Sequence, residues 1–228
     1  MNNEQRTTNN EQRTTNYAAE GGSSWPSDIE RVWVGSEYWA NRLQDWRIAN
    51  GRLECAETRT AKPMRTVHLL TRRLADRKGE LTISVRTGLM AGAAKVFSDT
   101  AAGFLIGAGS ELDYRAASLV HHSPGPDAGL FAGINSSDYL FIRDFSQSKP
   151  QNITPSPQAS RLPKNVELRI SAKPAGDKYT LTLTSHNPDT GRKLGSITVD
   201  GVDPNRLVGN LALVSHPGSG NATGQTTS

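Results

Sequence analysis

The residues best suited to chemistry gather in one stretch, between Gly103 and Phe145. His121, His122 and Asp127 form the densest polar cluster in the chain, and Arg115 stands just before them. An arginine presents a planar fork of donors suited to hydroxyl or carboxylate groups. Histidines add donors whose charge changes near neutral pH. These four residues are the candidate ligand-binding set. In the competing reading, Arg115 pairs internally with Asp113, and the small residues from Tyr114 to Leu119 simply let two sheets pack closely. Adjacent histidines on a strand face opposite ways, so His121 and His122 do not easily ligate one ion. No metal and no other cofactor is expected. Ser118, His122 and Asp127 can be drawn as a triad, but nearness in sequence says nothing about geometry.

Other motifs weigh against catalysis. Glu111 and Asp113, two apart, would share one face of a strand, as the carboxylates of laminarinase-type sandwich glycosidases do. The position three after Asp113, where the second catalytic glutamate belongs, is Ala116. Calcium at Asp113, Asp127 or Asp138 stays open, although no loop has the dense acidic spacing that would call for it. GAGSEL at Gly107 lacks the third glycine and the helix of a dinucleotide site. The GSG at Gly218 lacks the strand–elbow–helix context of a hydrolase nucleophile. Trp25, Trp33, Trp39 and Trp46 offer faces on which sugar rings stack. Core packing is the favoured reading for Trp39 and Trp46.

The elements that must position these residues read as strands. Residues 1–30 are expected to be a disordered polar tail: NNEQRTT occurs twice in tandem, at 2–8 and 9–15, with no apolar residue to bury. Asn50-Gly51 between DWRIA and RLECA marks a tight hairpin, because both turn residues must take positive φ. ELTISVRTG alternates Leu81, Ile83 and Val85 against Thr82, Ser84 and Arg86, the period of a half-buried antiparallel strand. The central stretch reads as three strands, GFLIGAG, YRAASLVHH and YLFIRDF, with GLFAGI between the last two. Its small residues let a ligand or a neighbouring layer approach the sheet. Pro150, Pro155, Pro157 and Pro163 make 146–163 a surface excursion. NVELRISA, KYTLTLTSH and SITVDGV form a three-strand meander, and NLALVSHPG closes the strand-like runs. The sum is an all-β chain, an antiparallel β-sandwich over 31–216 with a disordered tail at 217–228. Trp and Tyr are expected to anchor its core, since the single cysteine, Cys55, forbids an internal disulfide.

At 228 residues and 35% apolar, one sandwich of this size is feasible. The net charge of +4 is mild and the basic residues are scattered, so no nucleic-acid partner is expected. No window approaches the roughly 20 apolar residues of a membrane span. Met1 to Tyr17 has no apolar core of a secretory signal.

YWANRLQDWRIANGRLEC, VHLLTRRL, GFLIGAG, DYRAASLVHH, DAGLFAGINSSDYLFI and NLALVSHPG together resemble the concanavalin A-like (laminin G-like) jelly-roll domain found at the N-terminus of some bacterial proteins related to alkaline phosphatase D. The resemblance covers roughly Val32 to Gly218. It implies an extracytoplasmic accessory module, recognising carbohydrate or a cell-surface polymer, or packing against a metallophosphoesterase domain whose metal-binding residues are not found in this chain. It also implies a truncated member, because such sandwiches add a closing aromatic strand after the point reached here. An open sheet edge would then be an aggregation liability.

Overall fold

The computed structural model describes residues 22–40, 42–57, 59, 64–75, 78–90, 96–109, 125–146, 151–152 and 165–218. The strands are β1 (Tyr38–Ala40), β2 (Trp46–Ala49), β3 (Arg52–Cys55), β4 (Arg65–Leu74), β5 (Leu81–Gly88), β6 (Ala101–Ala108), β7 (Leu130–Asn135), β8 (Leu140–Asp144), β9 (Gln151–Asn152), β10 (Asn165–Ala175), β11 (Lys178–His186), β12 (Lys193–Val202) and β13 (Gly209–His216). Two 3-10 turns, Leu43–Asp45 and Pro204–Arg206, interrupt them. Seven strands form one sheet in the order β1-β4-β13-β6-β7-β8-β9, four form a second, β12-β11-β10-β5, and β2 and β3 pair as a separate hairpin. Every strand pairing is antiparallel. The chain is an all-β antiparallel sandwich.

Alternation explains the core. Val166, Leu168 and Ile170 of β10 and Leu181 and Leu183 of β11 point to the same side. They pack against Phe104 and Ile106 of β6, Leu130 and Ile134 of β7, and Leu140 and Ile142 of β8. Fully burying each such side chain contributes about 1.5–3 kcal/mol. The anchors are therefore Leu, Ile and Phe rather than the expected Trp and Tyr. Trp46 is the one tryptophan of the four that is buried, at 4% exposed. The polar faces turn outward: on β5, Thr82, Ser84 and Arg86 are exposed while Leu81, Ile83 and Val85 are half-buried.

The Asn50-Gly51 turn forms as expected, with φ of 54° and 69° joining β2 to β3. The preceding segment lies along this hairpin. Arg31 and Ile48 exchange backbone hydrogen bonds of 3.0 and 2.7 Å, and Trp25 packs on Tyr38 with ring centroids 6.0 Å apart. Beneath the hairpin, Val34, Ala40, Trp46 and Val67 make a second apolar cluster. Beside it lies a buried ionic group, in which Arg65 Nε meets Asp45 Oδ2 at 2.5 Å and Arg65 Nη2 meets Glu57 Oε2 at 3.4 Å.

The central stretch departs from its sequence reading at one point. GLFAGI is itself a strand, β7, paired to β6 on one side and β8 on the other. YRAASLVHH lies outside the described residues. Two glycines, Gly103 of β6 and Gly133 of β7, also have a different purpose from the two expected. Gly103 and Gly133 stand opposite each other. A Cβ on Gly103 would come 2.1 Å from the Ala132 carbonyl oxygen, and one on Gly133 would come 2.4 Å from that of Ala102. The smallness serves the neighbouring strand of the same sheet, not a ligand or a second layer.

Candidate functional site

Of the four sequence-predicted site residues, the structure describes Asp127. Arg115, His121 and His122 lie outside the described residues, as do Glu111, Asp113 and Ser118, so neither the triad nor the paired carboxylates can be placed. Asp127 stands in the turn 125–129 that leads into β7.

That turn is held by its own backbone. Gly109 N–H donates to the Asp127 carbonyl at 2.7 Å, Gly125 N–H to the Phe145 carbonyl at 2.9 Å, and Ala128 N–H to the Gly125 carbonyl at 2.9 Å. Phe145 N–H returns a bond to the Gly129 carbonyl at 3.2 Å. Gly129, at φ 78°, is the residue the geometry requires: a Cβ there would meet the Ile106 carbonyl oxygen at 2.8 Å, so the left-handed conformation and the close approach both call for glycine.

A side-chain clamp adds to this. Arg206, the last residue of the 3-10 turn Pro204–Arg206, donates through Nη1 to the Pro126 carbonyl at 2.9 Å and through Nη2 to Asp144 Oδ1 at 2.6 Å. Its own turn is fixed by Asp203, whose carboxylate caps Asn205 N–H at 3.0 Å, with Pro204 at the first position. Burial pushes the Asp144 carboxyl up. Bonds from Ser146 and the Arg206 guanidinium outweigh it, so the group rests below the usual aspartate range. Arg206 and Asp144 were missed in the sequence. The signal that could have found Arg206 is the Asp-Pro-Asn-Arg run at 203–206, a capped turn ending in a cation.

The Asp127 carboxylate stands apart from this network. It is half-buried, and it makes no hydrogen bond or ion pair with any described residue. The result is a fixed backbone carrying an uncommitted acceptor at one end of the seven-stranded sheet. A carboxylate in that state accepts from hydroxyl, amide or ammonium donors.

The tryptophans separate by environment. Trp46 is core and Trp39 is half-buried. Trp33 is 54% exposed, with the Arg31 guanidinium 4.7 Å from its ring centroid. Ile29 and Val32 beside it are exposed as well. On the outer side of the seven-stranded sheet, Phe131 and Phe141 meet edge-to-face at 4.9 Å, and Arg143 lies 4.3 Å over Phe141. These rings are buried and offer no open stacking face. Among the described residues, no three His, Cys, Asp or Glu side chains gather as metal ligands would. Among them, too, no helix is long and apolar enough to cross a membrane.

No family model matches the chain. No curated protein matches it either. Among solved structures it is similar to lectin II from Ulex europaeus, at 12% identity and a TM-score of 0.48, covering 83% of this chain and 91% of the lectin. A structure titled lectin UEA-II complexed with galactose gives 12% identity and a TM-score of 0.48, over 85% and 89% of the two chains. The assignment as a sandwich rests on the strand pairings themselves.

Proposed function

We propose that this chain is a non-catalytic binding module of an exported protein, and that its ligand is a carbohydrate or a cell-surface polymer rich in hydroxyl groups. The observation that carries the reading is the Asp127 carboxylate, uncommitted on a turn whose backbone is fixed by hydrogen bonds and by Arg206. A preorganised acceptor of this kind loses little entropy when it receives hydrogen bonds from paired hydroxyls. Arg115, His121 and His122 would complete the site with donors.

The test is a glycan and polysaccharide panel, run with wild type, Asp127→Asn, Arg115→Ala and His121→Ala. Wild type is expected to bind, and Asp127→Asn to weaken binding about tenfold, the loss of one charge-assisted hydrogen bond. Binding that survives all three changes would place the site elsewhere. No binding by the folded wild type would overturn the reading.

A second reading has its own observation. Ile29, Val32 and Trp33, near one another in the chain, are exposed at 36%, 61% and 54%, and exposed apolar side chains of this size suit packing against a neighbouring domain. In this reading the sandwich is a structural partner of an alkaline phosphatase D-like metallophosphoesterase domain. Mixing the chain with such a catalytic domain separates the two: association abolished by Val32→Ser with Trp33→Ser supports the structural partner, and its absence removes it.

A further inference from the structure

A cleft of about 340 Å³ opens where β4 hands the chain to β5. It lies between the ends of the two sheets, bounded by the end of β4, residues 78–80, the β10–β11 turn and the 3-10 turn Pro204–Arg206. Its floor is Leu74, Leu81, Ala172 and Leu207. All four belong to or pack on the main core, so apolar surface continues from the core to an open mouth. The size sits at the low end of small-molecule sites.

The walls are fastened without a ligand. Lys78 Nζ donates to the Gly176 carbonyl at 3.1 Å, and Gly79 N–H donates to Tyr179 Oη at 3.2 Å, tying residues 78–79 to the β10–β11 hairpin. Lys178 Nζ meets Asp203 Oδ2 at 3.0 Å, tying the hairpin to the cap of the 3-10 turn. Gly176, at φ 68°, makes the tight hairpin turn that sets the height of this wall.

The rim carries charges of both signs, and they differ in how far they are engaged. Lys178 is engaged by Asp203 and lies in the field of Asp177. Arg73 and Lys78 stand with Glu80 and Asp177, and Lys78 is already committed to the Gly176 carbonyl. The Arg73 side chain makes no hydrogen bond or ion pair with any described residue, which leaves its fork of donors unused.

We infer that this cleft binds a small organic acid, with a short-chain or single-ring apolar body on the Leu74, Leu81 and Leu207 floor and its carboxylate on the guanidinium of Arg73. Two parallel N–H···O bonds to a carboxylate are the geometry an unpaired arginine offers best. The site is separate from Asp127 and does not depend on the carbohydrate reading.

The experiment titrates the full chain with octanoate and, in parallel, with 1-octanol, which has the same body without the charge. Calorimetry gives affinity, and backbone amide shifts at Gly79, Gly176 and Leu207 give the location. Octanoate is expected to move those amides. Arg73→Ala is expected to weaken octanoate about tenfold, one charge-assisted interaction, and to leave octanol unchanged. Arg73 is exposed, so a urea midpoint equal to wild type verifies that the variant is folded. Absence of shifts at these amides with folded wild type overturns the site. An Arg73→Ala effect that is equal for acid and alcohol, or absent for both, overturns the assignment to an acid.

Discussion

Replacing Arg65 by methionine tests how the hairpin β2–β3 is fixed to the large sheet. Arg65 is 2% exposed and lies between two buried carboxylates, Asp45 at 7% and Glu57 at 8%. Its contacts are 2.5 Å to Asp45 and 3.4 Å to Glu57. Methionine fills the stem but leaves both acids without their buried cation. Breaking a buried pair by removing one partner costs about 3–5 kcal/mol. Each acid keeps a more exposed arginine, Arg42 on Asp45 at 3.1 Å and Arg59 on Glu57 at 2.5 Å. The loss should therefore fall at the lower end, about 3 kcal/mol, which at the usual urea dependence is a midpoint shift of about 1–3 M. Urea denaturation followed by circular dichroism at pH 7 measures it. Arg65→Met combined with Asp45→Asn and Glu57→Gln removes the charges together and should recover more than half of the loss. A single-variant cost below about 1 kcal/mol would refute the reasoning, since it would mean that water reaches the two acids.

Acid should destabilise the fold in two windows. His216 Nδ1 accepts from Gly218 N–H at 3.1 Å, and burial holds the imidazole below 6.5, so stability present above that value falls as pH drops beneath it. Arg59 pulls Glu57 down to about 2, so its contribution is complete above 4.5 and lost as pH falls from 4.5 toward 2. His216→Ala and Glu57→Gln should each flatten one window in thermal melts, and a slope unchanged by either would contradict the assignment. Gly103→Ala should cost about 1–3 kcal/mol in urea midpoint, because its Cβ meets backbone 2.1 Å away, and a neutral result would mean that β6 and β7 can part cheaply. Leu181→Ala, at a fully buried position between the sheets, should cost about 2–5 kcal/mol by the same measurement. A loss under 1 kcal/mol would deny that the two sheets share one core.

Period-two patterns made much of the fold legible. The alternations around Leu81–Val85, Val166–Ile170 and Leu181 became β5, β10 and β11, because each strand has one wet face. Asn50-Gly51 became its hairpin because few residue pairs tolerate two positive φ values. What failed was continuous burial. β7, read only as a piece between strands, is covered on both faces, so its pattern carries no alternation. The glycines were misread for a related reason: sequence shows that a side chain is missing, not whether ligand, layer or neighbouring strand fills the space. The site was legible in part. Asp127 stood out as an acid among Gly and Pro, but the Arg206 that holds its turn comes from nearly 80 residues later, and no spacing rule joins them.

The most direct measurement is amide-shift mapping of the chain with a glycan that it binds. The expected result is that the largest shifts fall on Gly109, Gly125, Asp127 and Ala128, and that Asp127→Asn needs about ten times more glycan to reach them, while Gly79 and Gly176 stay unmoved. Shifts confined to Trp33 and its neighbours, or to the β4–β5 cleft, would contradict the placement of the carbohydrate site at Asp127.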